Sequence, residues 1–433
     1  MTGSAAERAP LSTARLAALA ALWFATGAEL AGLNFVLLPR EVLARGGEAH
    51  KGATVGAIMA GGALVSLIAG PLVGAWSDRV RTAWGRRVPF IVAGALVQAA
   101  ALSAMAMLAS RFPAAHLAAF GGAYVLVQLG FNLANAPYSA LVPDLVSPER
   151  RGVASAWLMV MNLLGSAAGA GVGAALPRIG AAATYRALGA LVLACAFVSS
   201  AVAREPTPPP VPPFRLRAFL AGLAAPFRAS RDFRWVFGTR FLFMMGIFTV
   251  QGFVLFYFKD VVRVFAVSGR TLATTAEAGV SIFLALSLLG AVVSSVPGGV
   301  IADRHGRKRL VLASSLLQAL VAGVFIVTGR FSAVLAAGFS FGVGMGAYQV
   351  ADWALAADVL PTAADHGRDM SVWSVSLVLP SVLATPVGGV ILDACQRRGA
   401  ALGLPTLGYS VLFAVAVAYF ALGTLFVTKI RAR

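Results

Sequence analysis

Two of the 17 acidic residues lie well inside apolar stretches, Glu29 and Asp352; the others sit at the ends of such stretches or between them. An ionised carboxylate in lipid costs several kcal/mol, so an acid kept there usually faces an aqueous pathway. Both are therefore candidates to load and release a proton. Glu29 is about 14 residues from Arg15 and 11 from Arg40, and no basic residue lies nearer in its stretch. Tyr124, Gln128, Asn132, Asn135 and Ser139 follow one another at spacings of 4, 4, 3 and 4. On a helix they fall within an arc of about 80°. Such a stripe either offers donors and acceptors to a solute or hydrogen-bonds one helix to another. Phe341, Met345, Tyr348 and Asp352 share a second face, and Gln251, Trp157, Trp353 and Trp373 lie in further apolar stretches. Tyr138 stands between Pro137 and Ser139 at the end of the stripe. This is chemistry for carrying a proton and holding a polar solute. Bond-making constellations are missing: there is no Gly-x-Ser-x-Gly, no phosphate-binding Gly-x-x-x-x-Gly-Lys loop and no His/Cys metal spacing. No metal, cofactor or enzymatic activity is expected.

The elements that must position these residues follow from composition. Of 433 residues only 12% are charged, 59% are hydrophobic and the mean hydropathy is +0.83. A soluble domain carries roughly 25% charged residues. A water-soluble fold is excluded. Twelve stretches approach the ~20 residues needed to cross a bilayer: 16–39, 53–75, 88–109, 116–142, 153–176, 184–203, 234–258, 278–301, 310–328, 332–357, 370–394 and 406–428. The net charge of +18 does not mark a nucleic-acid partner, because the 35 basic residues punctuate the apolar stretches. Of these, 23 fall on the side holding both termini and 12 on the other, which predicts cytoplasmic termini in a cell membrane.

The longest connection, 204–233, begins with six prolines in the eight residues 206–213, a semi-rigid spacer. Residues 215–231 then read as an amphipathic helix at the inner membrane surface. The chain is thus expected to divide into 1–203, the connector 204–233, and 234–433. The halves repeat one another. Asp78-Arg79 and Asp303-Arg304 follow the second and eighth spans, Asp144 and Asp358 follow Ala-Leu-Val-Pro and Ala-Leu-Ala-Ala, and Trp157 and Trp373 come next, all at offsets of about 215–225 residues. Repeated six-span halves are the architecture of alternating-access transporters, with a site between the halves.

The loop Gly299-x-x-x-Asp303-Arg304-x-Gly306-Arg307-Lys308-Arg309 resembles the signature loop of the major facilitator superfamily. The first copy is extended, with residues 80–84 between Asp78-Arg79 and Gly85-Arg86-Arg87, and it is similar to that of the glycoside–pentoside–hexuronide/cation symporters and sucrose–proton symporters. Pro137-Tyr138-Ser139-Ala140-Leu141 through Asp144 and Asp352-Trp353-Ala354-Leu355 through Asp358 resemble the same branch. The resemblance implies an all-α membrane fold of twelve helices in two pseudo-symmetric bundles. It also implies a cytoplasmic gate built from Asp78, Arg79, Arg86, Asp144, Asp303, Arg304, Arg307 and Asp358. Sodium-coupled relatives use acids on helices 2 and 4; here the second span has none and the fourth offers Asn132 and Asn135. That favours protons.

The expected function is proton-coupled symport of a sugar or glycoside, with Glu29 and Asp352 handling protons. Gln128, Asn132, Asn135, Tyr138, Gln251, Tyr348, Trp353, Trp157 and Trp373 are the expected solute contacts. Expected partners are a small polar solute, protons and the bilayer, with the chain acting as a monomer. Proton-driven export of an amphipathic metabolite or drug is the alternative within transport. A non-transporting receptor or assembly factor is the alternative outside it.

Overall fold

The structure, a computed structural model, describes residues 12–111, 117–141, 145–146, 151–203, 205, 227–359 and 366–431. The proline spacer and most of the expected amphipathic helix therefore lie outside the described residues, as does Asp144. The side chains of Asp303, Trp353 and Asp358 lie outside them too.

Twelve long helices form among the described residues. They are α1 (Thr13–Gly46), α2 (Lys51–Ser77), α3 (Val88–Ser110), α4 (Leu117–Ser139), α5 (Arg151–Ala170, continued as residues 172–179), α6 (residues 181–202), α7 (Arg231–Tyr257), α8 (Ala276–His305), α9 (Arg307–Val327), α10 (Phe331–Val359), α11 (His366–Ala401) and α12 (Leu407–Thr428). In lipid only a helix satisfies every backbone group within its own segment, which is why apolar runs of this length settle as helices. Their starts are marked locally. Ser230 and Thr275 accept from the backbone N–H groups of Phe233 and Ala278, capping α7 and α8, and α3 opens on Val88-Pro89.

Among the described residues, eleven helical segments are long and apolar enough to cross a membrane. The expected spans at 153–176 and 184–203 correspond to α5 and α6. The chain steps at Gly171, continues as helix to 179 and turns at Gly180, whose φ of 75° and ψ of 159° break the helix. Glycine takes that φ without the Cβ clash any other residue meets, so α5 and α6 join without a loop. The first helix also outruns the expected 16–39. Past a π-turn at Leu33–Leu37 it continues to Gly46, where Glu41 pairs with both Arg40 and Arg45.

The helices pack as two groups with the same internal pairings. In the first, α1 lies on α5, α2 on α4, and α3 on α4 and α6; in the second, α7 lies on α11, α8 on α10, and α9 on α10 and α12. The groups meet along α2–α11 and α5–α8, and α7 also touches α1 through residues 33–46. The α2–α11 seam is backbone on backbone: a Cβ on Gly389 would stand 2.1 Å from the carbonyl oxygen of Gly52. No side chain fits there, so two glycines are what allow the helices to close.

Candidate solute and proton site

Glu29 sits in the middle of α1, 6% exposed, and accepts a hydrogen bond from the side-chain amide of Gln98 on α3. No cation pairs with it among the described residues. Beside it, the Tyr124 hydroxyl donates to Oδ1 of Asn34 at 3.1 Å and accepts from Nε2 of Gln128 at 2.9 Å. The α4 stripe therefore starts as a hydrogen-bonded chain reaching into α1. Its next member does something different. Asn132 is buried and donates to Ser66 Oγ on α2 at 2.7 Å and to the Gln128 carbonyl at 2.8 Å, joining two helices. Asn135 is half-buried, and its Oδ1 has no hydrogen-bond partner among the described residues. Tyr138 is buried and donates to the Leu19 carbonyl at 2.7 Å, fastening α4 to α1. Trp157 is half-buried against the small cluster of Leu16, Val146 and Ala154.

In the second group the structure joins three helices around one acid. Asp352 of α10 is 2% exposed; its Oδ2 lies 3.1 Å from Nη1 of Arg240 on α7, and its Oδ1 accepts from the Tyr348 hydroxyl at 3.3 Å. The Arg240 guanidinium carbon lies 3.4 Å above the Trp373 ring of α11, and Phe243 stacks on Tyr348 with ring centroids 3.4 Å apart. Arg240 reads in the sequence as one more topology-setting cation, and its pairing with Asp352 was not anticipated. The signal was there: a lone Arg inside one apolar span and a lone acid inside another neutralise each other at lower cost than either alone. Gln251 is half-buried further along α7. Gln98 was also missed, although it has a repeat partner at the offset of the other landmarks: Gln318 on α9, buried and donating to the Phe341 carbonyl at 2.7 Å.

The residues expected to gate the cytoplasmic end are paired within the first group. Asp78 lies 3.1 Å from Arg87 and 3.9 Å from Arg86. Glu205, just past α6, accepts from the backbone N–H groups of Arg86, Arg87 and Val88, holding the α2–α3 loop against the end of α6. Arg79 and Arg307 are half-buried, and Arg304 is exposed.

Hydrogen bonds and ion pairs that join the two groups gather at the opposite end. Lys51, at the start of α2, pairs with Glu48 and with Asp260 of the second group, Asp260 accepts from the Tyr409 hydroxyl, and Lys259 pairs with Glu48. Asp393 of α11 accepts from the N–H groups of Gly52 at 3.1 Å and Ala53 at 2.7 Å, placing a carboxylate on the positive end of α2. Arg40 lies 3.7 Å from Glu277 beside the α5–α8 seam. Partial burial pulls the Glu48 carboxyl upward, but hydrogen bonds and charge from Lys259 and Lys51 outweigh it and hold the group below the usual carboxylate range. This end is shut. Glu29 and Arg240 each precede by nineteen residues the partners Glu48 and Lys259 of this network, so both sit roughly 29 Å of helix below it.

Residues 51–364 match the family model described as MFS/sugar transport protein. The chain belongs to that family. Within it, the sucrose transport protein SUT4 of Oryza sativa subsp. indica is 32% identical over 25% of this chain and 22% of its own length, and the sucrose transport protein SUC3 of Arabidopsis thaliana is 32% identical with the same coverage. An uncharacterized symporter of Synechocystis, sll1374, is 34% identical over 22% of this chain and 18% of its own length. The matched stretch thus spans about a fifth of these relatives. Across nearly the whole chain the fold is shared with the nucleoside transporter NupG (TM-score 0.70, 11% identity, 96% of this chain and 98% of that one). The peptide transporter POT shares it as well (TM-score 0.70, 16% identity, 96% and 94%). The chain's family is that described as MFS/sugar transport protein, and its fold is an all-α membrane fold.

Proposed function

We propose that the protein is a proton-coupled symporter of a sugar or glycoside, working as a monomer in the cell membrane by alternating access between residues 1–203 and 234–433. The observation that carries this is the unequal treatment of the two buried acids. Asp352 has a guanidinium beside it, whereas Glu29 has only an amide. A carboxyl without a counter-charge changes its protonation when water reaches it from one side and not the other, and that dependence on conformation is the physical requirement for coupling. Glu29 is therefore the coupling carboxyl. Gln128, Asn135 and Gln251 offer hydrogen-bonding groups that are not fully buried, and with Tyr348 they form the solute-facing set. The sugar class is supported by the family and by the sucrose transport proteins among its relatives. With both termini cytoplasmic, as the basic residues favour, the Lys51–Glu48–Asp260 network seals the outer face, and Asp78, Arg86 and Glu205 belong to the inner gate. The test is uptake by proteoliposomes. Radiolabelled sucrose and simple glycosides are offered under an imposed inward proton gradient; accumulation that collapses with a protonophore is the expected result. Equal uptake with and without the gradient refutes coupling.

A further inference from the structure

At the shut end the second group carries a cavity of about 160 Å³, where the ends of α7 and α9 meet the start of α12. Its inner wall is aromatic. Tyr257, Phe325 and Tyr409 are buried there, and the Tyr257 ring stands edge-on to the other two, with centroids 5.4 and 5.8 Å away. Thr328, Thr406 and Ser410 form its rim. Thr406 is exposed and stands just before α12, where a threonine ordinarily accepts from the first helical N–H groups. It makes no such bond, because the Gln396 side chain and the carbonyls of Leu404 and Thr406 already accept from those groups. Its hydroxyl is left for a ligand. None of the residues lining the cavity is charged, so an ionised ligand would lie there without a counter-charge. An apolar cavity of roughly 150 Å³ holds one benzene ring, which sets the size. Val261, Ile326 and Val327 add apolar side chains to the lining. A sugar ring, with hydroxyls all round its edge, would lose water against them and gain no partner. A flat apolar ring with one hydroxyl suits both the wall and the rim.

We propose that this cavity is a regulatory site for a neutral, single-ring aromatic alcohol, whose ring lies on Tyr257, Phe325 and Tyr409 and whose hydroxyl bonds Thr406, and that its occupation holds the Lys51 end shut. The link is Tyr409. Its ring is a wall of the cavity, and its hydroxyl donates to Asp260, which pairs with Lys51 of the first group. While Lys51 holds Asp260, the phenol has a fixed acceptor and the wall keeps its place. When the end opens, Lys51 withdraws with the first group, Asp260 turns to water, and the Tyr409 ring loses its anchor. A ligand that needs the fixed wall binds the shut form more tightly and by the same factor favours it. The inference does not depend on which solute the transporter carries.

The test uses the purified full chain and two readings. Binding of para-fluorobenzyl alcohol, para-fluorotoluene and fluoroglucose is followed by fluorine NMR. The opening of the Lys51 end is followed as the labelling rate of a cysteine at position 55, with Cys195 and Cys395 replaced by alanine. The alcohol should bind, and the toluene, which lacks the hydroxyl, should bind up to roughly tenfold more weakly. Fluoroglucose should not displace the alcohol. Saturating alcohol should slow labelling by about fivefold or more, the usual scale of coupling between two sites. Thr406→Trp, at an exposed position, closes the mouth and should abolish both effects. Tyr409→Phe keeps the wall and loses the bond to Asp260, so the alcohol should still bind but no longer slow labelling. An alcohol signal as strong in Thr406→Trp as in wild type reports partition into the micelle and overturns the site. Displacement of the alcohol by fluoroglucose overturns the ligand class, and binding in wild type with the labelling rate unchanged overturns the link to the seal. The wild-type measurements decide the last two even if neither variant folds.

Discussion

Replacing Glu29 by Gln preserves the shape of the side chain and its bond to Gln98, because an amide oxygen accepts from the Gln98 amide as a carboxylate oxygen does. What disappears is the ability to exchange a proton. For one proton carried per neutral solute, each pH unit of gradient supplies about 1.4 kcal/mol, or a tenfold concentration ratio. Vesicles held at two pH units, with the membrane potential clamped at zero, should therefore concentrate solute up to about a hundredfold in wild type. The Glu29→Gln protein should stop at equal concentrations while still binding solute and exchanging it across the membrane. Gln98→Leu offers a control from the other side of the pair. It strips Glu29 of its only described hydrogen bond, which should lower stability by about 1–3 kcal/mol without removing the exchangeable proton. Coupling should then survive, with its pH profile moved. The reasoning fails if Glu29→Gln accumulates solute above the external concentration, because the driving proton must then travel on another group, and Asp352 is the next candidate.

Three more outcomes follow from the same geometry. Asn132→Leu removes the hydrogen bond that joins α4 to Ser66 of α2 and should lower the melting temperature with solute affinity unchanged, whereas Asn135→Leu should leave stability intact and weaken affinity by up to roughly tenfold, the worth of one neutral hydrogen bond; thermal unfolding and binding isotherms of both variants separate the two roles. Lys51→Ala and Asp393→Asn each remove a charge that ties α2 to the second group of helices, so cysteines placed at positions 55 and 385 should react faster with a bulky thiol reagent added from that end; unchanged labelling in both removes the network from gating. Glu48 is held below its ordinary value of 4.5, so the closed state gains stability from it above that value and loses it as pH falls through the lowered one. Accessibility of the same cysteines should be flat from pH 8 to about pH 5 and rise only below, and a rise centred near neutrality counts against Glu48 as the responsive group.

The architecture was open to reading because lipid imposes a simple rule, that backbone groups are satisfied inside a helix, and twelve apolar runs repeat in order along the chain. Finer detail was less legible: the gap between the expected spans 153–176 and 184–203 holds the break, but does not place it at Gly180. Pro177 and Arg178 mark that gap, and the positive φ at Gly180 shows where the helix turns. The chemistry divides in the same way. Glu29 and Asp352 stand out because they are expensive where they are, but their unequal partners do not, since Gln98 and Arg240 lie 69 and 112 positions away along the chain. Spacing on one helix assigned Tyr124, Gln128, Asn132, Asn135 and Ser139 to one face. It could not show that α2 brings Ser66 to Asn132, or that Tyr138 turns to α1. The network at the shut end was hardest to see, because Lys51, Glu48, Lys259, Asp260 and Asp393 sit where a positive-inside count expects ordinary loop charges.

On the proposed reading, the difference between Glu29 and Asp352 gives the two halves separate tasks. A transporter that bound its proton and its solute on equivalent groups would let either leave without the other, and the gradient would leak. Here one half holds a carboxyl with no counter-charge, free to respond to water, and the other holds a carboxyl already facing a guanidinium at the same depth. Shutting the far end through α2 and α11 brings both halves to rest against one another on a seam with no room for side chains, so the two sites change exposure together. Simultaneous exposure links a proton to a solute when the half-loaded forms do not change exposure. The seam sets the test. Gly389→Ala places a Cβ 2.1 Å from the Gly52 carbonyl oxygen, closer than real contacts allow, and should hold the far end open. Solute then binds from that end with the wild-type affinity, while net transport falls to background. A Gly389→Ala protein that transports normally would show that closure along α2–α11 is not the step that carries both sites across.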